Sequence, residues 1–157
     1  MKNKQQSLLS SLVGGFAKMV HLITGNKGKG KTKWMLSKAN AEIKNILGSV
    51  CYIDKNSQHM YELNNKIRLI NVTDYMIENT DQFLGFVGGI ISQDHDLEQM
   101  YFDSFLNTAH IEGNDISGPI SRLQAMSSKF GIDFYISISM DKDELPAELK
   151  ECVTAAL

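Results

Sequence analysis

The chain has 157 residues, of which 43% are hydrophobic and 22% are charged. These values are ordinary for one folded domain, and they exclude a disordered chain, a collagen-like repeat and a coiled coil. The 16 Lys and Arg residues against 18 Asp and Glu residues give a net charge of −2. This balance supplies no general attraction to nucleic acid or to an anionic membrane, so we do not expect nucleic acid as a partner.

The first 18 residues differ from the rest of the chain. Lys2 and Lys4 precede a modestly apolar stretch at 8–16 that resembles a signal peptide, but serines and glycines interrupt it. The stretch is also far shorter than the about 20 residues of a membrane span. We therefore interpret 1–18 as an N-terminal extension or the product of an upstream start site, and 19–157 as one domain. Cys51 and Cys152 lack the spacing of a metal or redox pair, which predicts free thiols in a cytoplasmic protein.

From residue 19 onward, strand and helix patterns alternate, which is typical of a parallel sheet covered by helices on both faces. Runs rich in β-branched and aromatic residues predict strands at 19–23, 49–54, 66–72, 98–103 and 132–140. The predicted fold class is α/β, a three-layer fold with a mainly parallel sheet of about five strands.

Helices are predicted where apolar residues recur at helical spacing. They lie at 32–47, from Thr80 to about 91, and at 116–130, with a short helix near 59–63 and a final helix within 141–157. Pro119 is expected to interrupt the 116–130 helix near its start. Thr80 is expected to cap the second of these helices, and its three glycines (Gly85, Gly88 and Gly89) suggest close packing on the sheet.

The segment GNKGKGKT matches the Walker A pattern G-x-x-x-x-G-K-S/T at every fixed position, and it lies between a predicted strand and a predicted helix. Such a loop binds phosphate through inward-pointing backbone N–H groups and the positive end of the helix dipole. We expect Lys31 to contact the β- and γ-phosphates and Thr32 to coordinate Mg²⁺. The predicted nucleotide-binding residues are Gly25, Asn26, Lys27, Gly28, Lys29, Gly30, Lys31, Thr32 and Lys33. Three of the lysines (Lys27, Lys29 and Lys33) are either phosphate ligands or solvated charges beside the site.

A second motif follows about 70 residues later. The apolar strand that ends MYFD resembles a Walker B element, in which a buried strand brings Asp103 to the Mg²⁺ shell. We expect this strand to neighbour the strand before the phosphate loop. Asp103 is therefore predicted as a catalytic and metal-site residue, with Thr32 as the other metal ligand and Lys31 as a catalytic cation.

The catalytic base is not evident, because Ser104 stands where related ATPases have a Glu after the Walker B Asp. Asp54 ends the second strand, where a parallel sheet would place it in the same crevice. Glu112 and Asp115 lie in the loop after the Walker B strand. Each of these three is either a catalytic carboxylate or a surface or capping residue, and we retain Asp54 and Glu112 as candidates. Ser139 is either a γ-phosphate sensor or a hydroxyl at a strand end.

The order of these elements over 19–140 resembles the RecA-like branch of the P-loop NTPases, which includes the type II thymidine kinases. The stretches HLITGNKGKGKTKWMLSKANAEIK, CYIDKNSQHMYEL and ISISMDKDELPAELK further resemble a family of small P-loop proteins from Firmicutes-type bacteria. Its members are often labelled twitching motility ATPases. That label does not transfer, because the chain has neither the length nor the His- and Asp-rich motifs of the pilus retraction ATPases. The four-cysteine zinc ribbon of the thymidine kinases is absent as well.

The expected function is Mg²⁺-dependent ATP binding with slow hydrolysis, in which the bound nucleotide switches affinity for an unidentified protein partner. The loops at 56–61 and 105–115 are expected to respond to the γ-phosphate. The sequence has no Asn-Lys-x-Asp guanine motif, which favours ATP over GTP. In a homo-oligomer, Arg68 or Arg122 would reach a neighbouring γ-phosphate; both are equally typical surface ion-pair residues.

The alternative function is a kinase for a nucleoside-like small molecule. It would require a second pocket beside the phosphate loop, with an aromatic lining to which Tyr52, Tyr61 or Tyr101 contributes. Each tyrosine is otherwise expected to serve in packing. A nucleic-acid motor subunit is a third hypothesis, and the acidic charge balance counts against it.

Overall fold

The computed structural model describes residues 19–157, and the interpretation of residues 1–18 lies outside this range. Within it, six strands form one sheet: β1 (Val20–Thr24), β2 (Ser49–Asp54), β3 (Ile67–Asn71), β4 (Leu97–Phe102), β5 (Asp133–Ile138) and β6 (Val153–Ala156). All neighbouring strands are parallel, in the order β3-β2-β4-β5-β1-β6. The strands connect through helical segments, as parallel pairing requires.

The helices are α1 (Lys31–Glu42), α2 (Thr80–Gln93), α3 (Phe105–Thr108), α4 (Ser117–Phe130) and α5 (Ala147–Lys150), with 3₁₀ turns at Val72–Tyr75 and Lys142–Glu144. None of the helices within residues 19–157 combines the length and the apolar composition that crossing a bilayer requires.

Two hydrophobic clusters cover opposite faces of the sheet. On one face, α1 packs Met35 and Ala39 in a cluster with Tyr52. On the other face, α2 and α4 contribute to a second cluster, in which the rings of Phe83 and Phe102 meet at 6.1 Å. Residues that alternate along each strand divide between these clusters because successive side chains point to opposite faces. The protein therefore has the expected three-layer, RecA-like α/β fold.

The strand order differs from the expectation at the two motifs. The strands that lead to the phosphate loop and to Asp103 were expected to be neighbours, but β5 lies between β1 and β4. The register places Leu22 opposite Ile136, and Ile136 opposite Phe102. The C-terminal end of β5 therefore lies between the two motifs. Patterns within single strands do not specify which strands become neighbours, so the sequence left this point open to error.

The C-terminal segment also differs from the expectation. The predicted final helix within 141–157 is only the four-residue α5, and the chain continues as β6, a sixth strand at the edge of the sheet. Two backbone hydrogen bonds at the ends of this pairing join β1 to the C-terminal segment. The Leu22 N–H donates to the Cys152 carbonyl, and the Leu157 N–H donates to the Thr24 carbonyl. Only four residues form β6, which is too short for an alternating pattern to be recognised.

Several helix boundaries were predicted wrongly. The helix predicted at 32–47 ends at Glu42, and Leu47, which appeared to extend its apolar stripe, is exposed. The segment 59–63 forms turns, whose Glu62 carbonyl accepts a hydrogen bond from the Asn40 side chain. Pro119 does not interrupt α4, because it lies in the first helical turn, where its missing N–H would have no partner.

Two expectations for α2, its N-cap and the role of its glycines, were wrong. Asn79, rather than Thr80, is the N-cap, and its side chain accepts a hydrogen bond from the Gln82 N–H. The three glycines of this helix do not pack closely on the sheet, since a Cβ atom on any of them would have no neighbour within 4 Å. The broad apolar stripe of α2 (Phe83, Leu84, Val87, Ile90 and Ile91) is buried as predicted.

Candidate functional site

A cleft of about 550 Å³ opens at the carboxyl ends of the central strands. Parallel sheets place ligand sites at this edge, where the loops that follow several strands converge. The predicted site residues that line the cleft are Lys27, Gly28, Gly30, Lys31, Thr32, Asp54, Asp103 and Glu112. Most of the predicted constellation is thus brought together in one cavity.

The phosphate loop connects β1 to α1 in a conformation that depends on glycine. Gly25, Gly28 and Gly30 all have positive φ, at 147°, 88° and 92°. At Gly25 a Cβ atom would also lie 2.9 Å from the Leu157 carbonyl oxygen. Gly30 is the N-cap of α1, and no side chain among the described residues caps this helix. The first N–H groups of α1 therefore remain available to an anion.

Lys31 lies in the first turn of α1 and is buried. Its ammonium group donates hydrogen bonds to the carbonyl oxygens of Gly25, at 2.6 Å, and Asn26, at 3.2 Å. Burial lowers the pKa of Lys31, and the negative charge of Asp103 partly offsets this effect. The cation is thus held against the loop, within the cleft where an anionic ligand would compensate its desolvation.

Asp103 follows β4 and is almost fully buried, with 2% of its surface exposed. One of its carboxylate oxygens, Oδ1, accepts hydrogen bonds from the Thr32 hydroxyl at 3.2 Å, the Ser137 hydroxyl at 2.8 Å and the Ser104 N–H at 2.9 Å. The other oxygen, Oδ2, accepts from the Tyr52 hydroxyl at 2.7 Å. Donors from β2, from β5, from the first turn of α1 and from the N–H of the next residue, Ser104, therefore fix the orientation of this carboxylate.

Thr32 and Asp103 are the residues that could hold a metal ion. Both offer hard oxygen ligands, and the two side chains are in direct contact. Within the part of the chain that the structure describes, no group of three His, Cys, Asp or Glu side chains could enclose a metal. Two oxygen ligands without a protein cage suit Mg²⁺, which retains several waters and takes its other ligands from substrate phosphates. The donor set therefore fits the expected ion.

Asp54 ends β2 and is 3% exposed, although it lines the cleft. Burial and the negative charge of Asp103 raise its pKa to about 6, while the Lys55 N–H and the positive charges of His59 and Lys55 act in the opposite direction. The Lys55 N–H donates to its Oδ1 at 2.7 Å. A carboxylate with a pKa near neutrality can accept or release a proton, which suits a general base.

The loop after β4 carries two further candidate carboxylates, Glu112 and Asp115, and only one of them lines the cleft. Glu112 is exposed and lines the cleft. Asp115 does not line the cleft; its Oδ1 accepts a hydrogen bond from the Ser117 N–H at the start of α4, and this bond lowers its pKa. Ser139 also lines the cleft, just beyond the end of β5.

Some predicted residues lie elsewhere. Lys29 and Lys33 line a separate groove beside α1. Arg68 borders a different cavity beside β3, and Arg122 lies 3.9 Å from Asp81 as a surface ion pair. Neither arginine lines the cleft of its own chain.

The three tyrosines considered for a second pocket do not line the cleft either. Tyr52 and Tyr101 are fully buried in the cluster beneath α1, where their rings stack at 5.8 Å. Tyr61 is 92% exposed. The packing role is thus the one that the structure supports for Tyr52 and Tyr101.

Sequence reasoning missed two of the residues that hold Asp103. Ser137 was not singled out, and Tyr52 was considered only as a pocket residue. The signal was the two-residue alternation of the strands: Tyr52 and Tyr101 lie on the face that Asp54 and Asp103 continue two residues later.

Comparisons with protein-family models and with curated proteins found no match to the chain, so a functional assignment depends on the geometry of this site.

Proposed function

We propose that the protein binds ATP with Mg²⁺ and hydrolyses it slowly, as a nucleotide-controlled switch in the cytoplasm. The observation that carries this proposal is the meeting of two distant segments. Thr32, in the uncapped first turn of α1, contacts Asp103 at the end of β4, and the buried ammonium group of Lys31 lies in the same cleft. This combination matches the demands of a triphosphate and its cation.

Each group has a chemical role in this proposal. The N–H groups at the start of α1 and the Lys31 ammonium bind the β- and γ-phosphates, because they offer positive charge inside a partly desolvated cleft. Thr32 and Asp103 hold the Mg²⁺ ion, which neutralises phosphate charge when it is bound. Ser137 and Tyr52 act through Asp103 by fixing its carboxylate, and so they are positioning residues.

We propose Asp54 as the group that orients the attacking water. It lines the cleft near Asp103, and its pKa of about 6 leaves it ionised at neutral pH. Glu112 is the second candidate, because it lines the same cleft from the opposite loop. Asp54→Asn and Glu112→Gln distinguish them: the base is the residue whose replacement lowers turnover at saturating ATP while binding persists.

The proposed switch segments are 56–61 and 105–115. Asn56 and His59 from the first segment and Asn107 and Glu112 from the second line the cleft. A γ-phosphate would contact groups from both segments, and its release would remove those contacts. Such a change could alter the affinity for a protein partner or for a second copy of the chain.

The first experiment measures ATP binding by calorimetry and phosphate release with and without Mg²⁺. We expect Lys31→Ala to weaken binding and Asp103→Asn to abolish Mg²⁺-dependent release. Matched controls are Lys44→Ala and Asp143→Asn, because both residues are exposed and lie outside the cleft. Equal activity in Lys31→Ala and Lys44→Ala would refute the proposal. Turnover per molecule that rises with protein concentration would indicate self-association.

A further inference from the structure

A second groove, of about 540 Å³, lies beside the phosphate loop. Gly30, Lys33, Trp34 and Ser37 line it from one face of α1, because residues three, four and seven positions apart lie together on a helix. Leu157, which follows β6, lines it as well. The groove therefore lies between the first two turns of α1 and the edge strand that the sequence did not predict.

The groove is continuous with both ends of the phosphate loop. Gly30 lines the groove and the cleft alike. At the other end of the loop, the Leu157 N–H bonds to the Thr24 carbonyl, and the Leu157 backbone lies close against Gly25. Lys31, Thr32 and Asp103 mark the terminal-phosphate side in the cleft. None of these three residues lines the groove, so a nucleotide with its terminal phosphates beside them could extend past Gly30 into the groove.

The chemistry of the groove suits an aromatic ring attached to phosphate. Trp34 is half-buried, and its indole lies 6.4 Å from the Tyr135 ring, which holds it in place. Lys29 and Lys33 line the groove with Trp34, although the groove itself is largely apolar. Lys38 lines it too, but its ammonium group is paired with Glu42 at 2.6 Å. A flat apolar surface bordered by cations complements a nucleobase joined to anionic phosphates.

We propose that this groove binds the base of the nucleotide and that Trp34 stacks on that base. The inference rests on the proposed function, because it requires the phosphates to occupy the neighbouring loop. Stacking on an aromatic face tolerates different bases, since every base has a π surface. Trp34 is therefore expected to supply affinity for a nucleotide over a bare polyphosphate.

The test compares the affinities of Mg-ATP and Mg-tripolyphosphate by calorimetry. We expect ATP to bind at least about tenfold more tightly than tripolyphosphate, which is the range of one stacked base. Trp34→Leu keeps an apolar side chain but removes the aromatic face, and it should abolish most of this preference without changing the tripolyphosphate affinity. Trp34→Phe should retain most of it, and Phe130→Leu, at an exposed aromatic residue far along the chain, should leave it unchanged.

A second readout is available because Trp34 is the only tryptophan in the chain. Its fluorescence should change more with ATP than with tripolyphosphate. Equal wild-type affinities for the two ligands, both lost in Lys31→Ala, would overturn the base site and leave the phosphate site intact. An ATP preference that survives in a folded Trp34→Leu variant would also overturn it. No binding of either ligand to the wild-type protein would overturn both proposals.

Discussion

At the scale of single residues, the site depends on a row of rings beneath it. The side chains of Tyr52, Tyr101, Tyr135 and His21 stack across four neighbouring strands, with centroid separations of 5.8, 4.8 and 4.5 Å. Residues two positions later continue the same face and include Asp54, Asp103 and Ser137. The polar groups of the cleft thus stand directly above a rigid aromatic layer, which limits how far they can shift.

Tyr52→Phe tests the hydrogen bond between this layer and Asp103. The change removes the hydroxyl donor to Asp103 Oδ2 and leaves the ring in place. A buried hydrogen bond to a charged acceptor contributes roughly 1.5–3 kcal/mol, so the free energy of unfolding should fall by about that amount. Tyr101→Phe is the matched control, because its hydroxyl donates to the neutral Gln99 side chain and should cost only about 0.5–1.5 kcal/mol. Urea denaturation measures both, and equal losses would contradict the prediction.

Asp54 predicts a pH dependence of stability in the absence of nucleotide and Mg²⁺. Its pKa is raised from 3.8 to about 6, so between these values the folded protein holds a proton that the unfolded chain releases. The contribution of Asp54 therefore lowers the free energy of unfolding as pH rises through this window.

Asp54→Asn should consequently be more stable than the wild type at pH 7.5, by about 1–3 kcal/mol, and similar to it near pH 4. The asparagine Oδ1 can still accept the Lys55 N–H. Thermal and urea denaturation of both proteins at the two pH values measure the difference. A stability difference that does not change with pH would contradict the assigned cause.

At the scale of the elements, periodicity gave reliable information where segments were long. The buried stripe of α2 and the strands β2 and β4 were predictable within one or two residues, because their apolar residues recur regularly. β6 was not, because its four residues owe their extended conformation to pairing with β1. The sequence did not indicate the early end of α1 either, because Ile43, one residue beyond the helix, is buried like the apolar residues before it.

The glycines of α2 provide a prediction at this scale. Gly89 is exposed within the helix, and a Cβ atom there would meet no neighbour within 4 Å. Gly89→Ala should therefore raise the free energy of unfolding by about 0.5–1 kcal/mol, because alanine loses less backbone entropy in a helix. Gly25→Ala is the opposing control, since its positive φ and the nearby Leu157 carbonyl should make the same change destabilising. Urea denaturation compares the two, and a destabilised Gly89→Ala would show that the helix is constrained there.

At the scale of the whole molecule, the sequence predicted the fold class and most of the residues that line the cleft. It did not predict which strands lie side by side beneath the cleft. The phosphate loop was recognisable because its glycines and lysines lie in one continuous segment. The partners of Asp103 come from β2, from α1 and from Ser137 on β5, and their convergence depends on strand order. Strand order is decided by packing between distant segments, which a local pattern does not record.

The position of β5 has a consequence for how the molecule assembles. β1 pairs with β5 through Val20 and Phe134, and β4 pairs with the same strand through Met100. The loop and Asp103 therefore acquire their spacing only when a strand from the last quarter of the chain enters between them. Contacts of such long sequence separation form late and slowly in folding. A chain still emerging from the ribosome would therefore possess both motifs before the cleft between them has formed.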